Sequence, residues 1–301
     1  MKKLIFLFLF LNLVIQAQEK YITTSDGVNL YVKVKGTGKP CLYIHGGPGS
    51  GSHWLEKFSG DMLEDRFQMI YLDQRGVCRS ISPKDSNYTM DRMVKDYEEV
   101  RAALGIEKWI IMGHSFGGFL QMGYAKRFPQ SIEGMIMVNC SLNMREAFKK
   151  SWVPKACEFL GITDIEPFLD ESKPLMDRWD ILIGKLNEKN IMWKMGFASE
   201  DNMKIMNATS SEISNWNHDF SNVALSFEDY WGNFKLSCSQ IRLPVLFFYV
   251  RFDLMIGPEH YKDVNFPNMM LWGSDVGHIP FMENKEDLKN AIDAYLEKYK
   301  L

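Results

Sequence analysis

The sequence predicts an α/β fold in which a mostly parallel central sheet is flanked by helices and interrupted by an inserted helical block. Three observations predict it. Short apolar runs ending in Gly or Asp turns recur along the chain. Helix-period segments lie between them, and the strand-like runs stop after Asn139 and resume only at Pro244. Apolar runs of this kind suit strands buried on both faces of a parallel sheet, and their alternation with helices implies right-handed βαβ units.

In chain order, Asn29 to Lys35 alternates in period two, as a half-buried strand does. Cys41 to Ile44, Phe67 to Leu72, Trp109 to Met112 and Met135 to Val138 read as inner strands. Ahead of Trp109, Met90 to Leu104 sets Met93, Tyr97, Val100 and Leu104 on one helical face, with Thr89 and Asp91 as start signals. Phe116 to Phe128 is the next helix. Residues 142–238 hold no strand-like run of comparable quality, and Asp180 to Leu186 and Glu188 to Met195 carry helical spacing. Pro244 to Val250 and Met269 to Trp272 restore strands, and Lys285 to Tyr299 closes the chain as an amphipathic helix. The expected division is a core of residues 18–141 and 239–301 with a helical cap of 142–238.

The first residues read separately. Lys2 and Lys3 precede an apolar run from Leu4 to Ile15, broken only by Asn12, and Ala17 offers a small residue for cleavage. This is the pattern of a secretory signal peptide covering residues 1–17. The run falls short of the roughly 20 residues that span a bilayer, and no Cys follows it for lipid attachment. The expectation is an exported protein, periplasmic or secreted, without stable membrane insertion once the leader is cut.

Bulk properties narrow the partners. The 301 residues suffice for one large domain or a core with an insertion, and the formal net charge of −3 gives no electrostatic reason to expect nucleic acid. Export permits disulfides, but the five cysteines (Cys41, Cys78, Cys140, Cys157 and Cys238) are odd in number and include no CxxC pair, so neither a disulfide framework nor a structural zinc site is indicated.

The chemistry is carried by Gly113-His114-Ser115-Phe116-Gly117, a G-x-S-x-G motif set between a strand and a helix. That context is what a nucleophile elbow requires: a sharp turn that exposes the serine Oγ, with flanking glycines making room. Serine needs a base to take its proton. Of the histidines that follow the elbow, His218 falls in the helical block and His260 at an expected helix start, whereas His278 lies in a loop between the last strand and the last helix, at the carboxyl edge of the sheet. The orienting acid is Asp253, just after the strand Pro244 to Val250; Asp275, in the loop of His278 itself, is the rival. His45-Gly46-Gly47-Pro48-Gly49 follows another strand, and the N–H groups of Gly47 and Phe116 are the candidate oxyanion donors.

These motifs in this order resemble the α/β-hydrolase superfamily, and more narrowly its prolyl iminopeptidase group of serine peptidases. The resemblance rests on residues 45–50 (HGGPGS), Asp73-Gln74-Arg75-Gly76, residues 113–118 (GHSFGG), Asp253 and Gly277-His278. It implies a Ser115–His278–Asp253 triad, an acyl-enzyme, a small-molecule or short-peptide substrate, and no metal or organic cofactor. Two departures stand out. Cys78 occupies a position where the group usually has Gly, for which a local backbone adjustment is expected. The group's cap glutamates, which hold the substrate's amino terminus, find no clear match among Glu200, Asp201, Glu212 and Glu228. The functional expectation is therefore an iminopeptidase-like aminopeptidase, with a carboxylesterase on the same triad, or a ligand-binding protein on the same scaffold, as alternatives. Trp152, Trp179, Trp193, Trp216 and Trp231 could line an apolar pocket or form the core of the cap.

Overall fold

The computed structural model describes residues 18–301; the expected leader, 1–17, lies outside them. Eight strands form one sheet: β1 (Gln18–Thr23), β2 (Asn29–Lys35), β3 (Lys39–Ile44), β4 (Phe67–Leu72), β5 (Trp109–Ser115), β6 (Ile132–Cys140), β7 (Val245–Val250) and β8 (Met269–Ser274). Their order is β1-β2-β4-β3-β5-β6-β7-β8. The β1–β2 and β2–β4 pairs are antiparallel, and every pairing from β4 to β8 is parallel.

The alternation of side chains along each inner strand divides the core in two. On one face Leu42, Ile70, Ile111, Met135 and Phe247 pack with helices α2 (Met90–Ala103) and α3 (Gly117–Arg127). On the other, Tyr43, Met69, Ile110, Ile136 and Leu246 pack with α1 (His53–Glu64) and the carboxyl-terminal helix Lys285–Tyr299. Both faces are covered, which is why these strands read as nearly continuous apolar runs. Thr89 caps α2 by accepting from Arg92 N–H, and Asn284 caps the last helix by accepting from Asp287 N–H.

Between β6 and β7 the ordered elements are helical, among them α4 (Val153–Leu160), α5 (Leu175–Glu188) and α6 (Glu200–Ser210); the helix Lys285–Tyr299 is then α7. This block has its own small core of Trp152, Val153, Ala156, Cys157, Leu182 and Leu186. The expected helix over Glu188 to Met195 does not form. α5 ends at Glu188, Asn190 adopts a left-handed backbone (φ 54°), and only a short 3-10 turn, Met192–Met195, follows. Likewise His260 lies in turns rather than at a helix start. At Cys78 the chain accommodates the side chain in a left-handed conformation (φ 52°), held by reciprocal backbone hydrogen bonds with Asn217 of the helical block.

Where α3 crosses β3, glycine is dictated by space. A Cβ on Gly117 would lie 2.2 Å from the Ile44 carbonyl oxygen, a backbone atom that cannot swing aside. Gly117→Ala is therefore expected to destabilise the protein by about 1–3 kcal/mol, read as a lower urea midpoint at unchanged slope.

Candidate active site

The carboxyl ends of β5, β6, β7 and β8 bring the chemically interesting side chains to one rim of the sheet. β5 runs three residues further than its apolar run suggests and ends on Ser115 itself, which sits in the left-handed region (φ 51°) at the turn into α3. A non-glycine residue there costs of order 1–3 kcal/mol. The surroundings enforce it: a Cβ on Gly46 would lie 2.9 Å from the Ser115 Cβ and 2.6 Å from the His114 carbonyl. Ser141 N–H donates to the Ser115 carbonyl at 3.0 Å, tying the turn to β6.

His278 lies in the loop after β8. Its Nε2 is 2.9 Å from Ser115 Oγ, and its Nδ1 is 2.9 Å from Asp253 Oδ2. A neutral ring that donates Nδ1–H to Asp253 leaves Nε2 free to accept the serine proton. Asp253 also caps its own loop, accepting from Met255 N–H at 2.7 Å and Ile256 N–H at 3.4 Å through Oδ1. Its carboxyl is fully buried, which raises its pKa, but the His278 charge and hydrogen bond and the Asn139 amide outweigh burial and hold it at about 2. Asp275 does not approach His278; it is exposed and pairs with Arg251.

Asn139, near the end of β6, is not marked by the sequence reading. Its Nδ2 donates to Asp253 Oδ2 at 2.8 Å and lies 3.2 Å from His278 Nδ1. With Nδ1–H directed at Asp253, the two nitrogens are neighbouring donors converging on one oxygen. No periodicity or motif marks an asparagine for this place; only the pairing of β6 with β7 brings it there.

The glycine-rich loop after β3 faces the same rim. Gly47 (φ 108°) and Phe116 both line the cavity above Ser115, and among the described residues neither N–H is donated to another protein group. The 73–76 motif holds this loop in place. Gln74 N–H donates to His45 Nε2 at 3.1 Å, and the Gln74 amide donates to the His45 carbonyl at 3.1 Å. Asp73, fully buried, accepts from Ser52 N–H, Ser52 Oγ–H and Arg79. Arg75 spans Asp96 and Asp26 beneath.

The cavity above Ser115 measures about 470 Å³. Its walls are mainly apolar: Phe116, Met144, Phe148, Met192, Met206 and Met255 among others, with Trp152, Trp179 and Trp193. Trp216 and Trp231 are not part of it; Trp216 instead donates to the Gly49 carbonyl, and Trp231 stacks on Phe148. Ser50, Ser141, Asn187 and Asn207 supply neutral polar groups. Among the described residues the lining contains no Asp or Glu. Glu200 pairs with Lys204, Asp201 is exposed, Glu212 pairs with Lys57, and Glu228 borders a separate surface groove. Nor do the described residues hold a group of three His, Cys, Asp or Glu side chains fit for a metal ion.

Three further histidines, His45, His114 and His260, are buried, and burial favours the neutral ring of each. Burial lowers the pKa of His45 to about 4 and that of His114, whose Nε2 contacts the His278 carbonyl, to about 3. The unfolded chain takes up these protons near pH 6.5 and the folded chain does not, so acid favours unfolding. Each ring should remove up to about 1.4 kcal/mol per pH unit below 6.5. The lowered Asp253 pKa works in the same direction at lower pH: its contribution is full above the ordinary carboxylate range and is lost as pH falls towards about 2. Urea unfolding free energy is thus expected to fall steadily from pH 7 to pH 4.5, and His114→Phe to flatten the slope.

Comparison with known proteins agrees with this architecture. The alpha/beta hydrolase fold family profile matches residues 39–285. The proline iminopeptidase of Saccharolobus solfataricus is 36% identical over 116 residues, covering 37% of this chain and 37% of the relative. That of Neisseria gonorrhoeae is 35% identical over 121 residues, covering 39% and 38%. The match thus spans little more than a third of the length of these curated relatives. Among solved structures, a proline iminopeptidase-related protein of Thermus thermophilus superposes with a TM-score of 0.77 at 21% identity, covering 94% of this chain and 98% of that one. A thermophilic esterase from Thermogutta terrifontis gives 0.69 at 22% identity, covering 95% and 100%. At such identities the structural likeness speaks for the fold, and the profile match over most of the chain supplies the assignment: this chain belongs to the α/β-hydrolase-fold family.

Proposed function

We propose that the protein is a serine hydrolase that cleaves small carboxylic esters and amides through an acyl-enzyme. The observation that carries this is the unbroken hydrogen-bonded line from Ser115 Oγ through His278 to Asp253. In the forward step Ser115 Oγ forms a bond to the substrate's carbonyl carbon as its proton passes to His278 Nε2. The carbonyl π electrons move onto oxygen, which the N–H groups of Gly47 and Phe116 receive. Collapse of this adduct breaks the bond to the leaving alcohol or amine, which takes the proton from Nε2. Water then repeats the sequence on the acyl-serine, and the acid departs. Asp253 holds the ring in the required tautomer and stabilises its charge while the proton is in transit.

The cavity favours neutral substrates. A protonated amino terminus placed in an apolar site without a carboxylate stays desolvated and unpaired, and no acidic side chain lines the cavity among the described residues. An ester or amide with an apolar acyl group fits this lining better. Aminopeptidase action on short peptides is the second reading, favoured by the two proline iminopeptidases at 35–36% identity. Export, periplasmic or secreted, belongs to the same proposal; amino-terminal sequencing of the mature protein should begin at Gln18.

Ser115→Ala should lower kcat/KM by about 10⁴-fold or more while leaving the unfolding midpoint within error, and a fluorophosphonate should label wild type and not the variant. Retention of most activity, or an unreactive wild type, would remove the hydrolase reading. Between two arylamides with the same leaving group, a neutral short-acyl arylamide should exceed a proline arylamide in kcat/KM by about 100-fold, reflecting a penalty of roughly 3 kcal/mol for the unpaired ammonium. The reverse order would establish the peptidase reading.

A further inference from the structure

Among the described residues, every arginine except Arg145, Arg178 and Arg242 holds a carboxylate at 2.9 Å or closer. Arg145 reaches only Glu171, at 4.0 Å, and Arg178 has no carboxylate within that distance. The Arg178 guanidinium is tied through Nη1 to the Phe168 carbonyl at 2.7 Å, while its Nε is buried without a partner. Arg145 and Arg178 line one groove of the helical block, about 380 Å³ in volume, together with Lys149 and Lys173. Lys173 leans on Asp170 at 3.8 Å, and Lys149 has no carboxylate within 4.0 Å. Glu171 and Glu228, both exposed, also border the groove, and the cations outnumber them. A guanidinium that holds no carboxylate of its own has its planar fork of donors open to one from a ligand.

The groove shares two walls with the catalytic cavity: Phe148 and Leu225 line both. Each is only half-buried, so they make a rim between the two spaces rather than a closed partition. A row of aromatic rings crosses at the same place. Trp179, in the cavity, meets Phe148 edge-on at 5.1 Å; Phe148 stacks on Trp231, in the groove, at 6.4 Å; and Arg145 lies over the Trp231 ring at 5.3 Å. Trp231 is fixed by its indole N–H, donated to the Leu225 carbonyl at 2.9 Å. An apolar path thus leads from the space above Ser115 to two guanidinium groups that lack close counter-ions. We propose that the groove is a substrate subsite for a carboxylate at the far end of the acyl chain, held by Arg145 and Arg178. The substrate class is then an ester or amide of a long acid that bears a second, ionised carboxyl, its apolar middle lying against Phe148.

This inference rests on the serine-hydrolase reading, and the test separates the two. Nitrophenyl half-esters of straight-chain dicarboxylic acids are compared with nitrophenyl alkanoates of equal chain length, over graded lengths. The leaving group is common to each pair, so the ratio of kcat/KM reads the terminal carboxylate alone. Short half-esters should gain nothing, because their charge ends inside the apolar cavity. Long half-esters should be preferred by about tenfold, and added salt should shrink the preference. Arg145→Gln and Arg178→Gln should each lower the ratio at long chain length, and the double variant should bring it to about one. Arg242→Gln, which removes the unpaired arginine lying away from the groove, should keep it. Thermal unfolding reports on folding, and Arg145→Gln, at a side chain 53% exposed, stands alone if the double variant does not fold. A ratio near one at every chain length, or one that these folded variants leave unchanged, overturns the inference while the alkanoates are still cleaved and wild type still labels with a fluorophosphonate. A wild type that cleaves neither ester and does not label overturns the hydrolase reading and this inference together.

Discussion

The rest of the site depends on one strained turn. Ser115 ends β5 with a left-handed backbone, and the chain must reverse at once into α3. Such a turn persists only when its neighbours over-determine it. Gly46 and Gly117 let the loop after β3 and the end of that strand press against it at distances that no side chain would allow, and Ser141 holds its carbonyl from the other side. The consequence is chemical as well as mechanical. The hydroxyl is directed off the sheet toward His278, and the first N–H groups of α3 are left open above the same point.

The second constraint acts through the helical block. Gly196 O accepts from His278 N–H, and Met195 O accepts from Leu254 N–H, so one short stretch of the block touches both the loop of His278 and the loop of Asp253. Glu283 reinforces the junction by accepting from Gly277 N–H on one side and from Ala198 N–H on the other. The block that walls the cavity is thus bonded directly to His278 and to the loop of Asp253.

Much of this is legible in the sequence because it is local. A run such as WIIM followed by GHSFG gives both a strand and its turn, and Asp253 and His278 each follow a strand at the edge where such sheets place ligands. What the sequence hides, it hides for physical reasons. β1 escapes notice because it is an exposed antiparallel edge with only Ile22 buried, and an edge strand carries little apolar signal. α1 escapes because Ser59 and Gly60, poor helix formers, stand in its middle; both are buried, and tertiary packing supplies what propensity lacks. The Glu188 to Met195 segment keeps helical spacing of apolar residues, but the helix ends before the left-handed Asn190; Met192 and Trp193 then line the cavity, and Met195 packs into the core of the block. Asn139 is the clearest case. Its neighbours Asp253 and His278 are 114 and 139 residues away in sequence, so nothing short of the β6–β7–β8 pairing reveals its role.

The same distinction governs how far relatives inform on substrate. On the proposed reading, the strand-and-turn motifs that carry the family resemblance build the machinery for attacking a carbonyl, and that machinery is indifferent to what the carbonyl is attached to. Choice among substrates is made by the walls, which here come largely from the helical block: methionines, aromatic rings and neutral amides around about 470 Å³. The matched stretch covers little more than a third of the curated relatives, so likeness in the machinery does not carry likeness in the walls. An ammonium group needs a partner when it leaves water. The acidic side chains of the block that could have served, such as Glu200 and Glu212, are committed to lysines at the surface. On the proposed reading, a neutral acyl group therefore suits this lining better than a charged amino terminus does, since flexible methionines can repack around it.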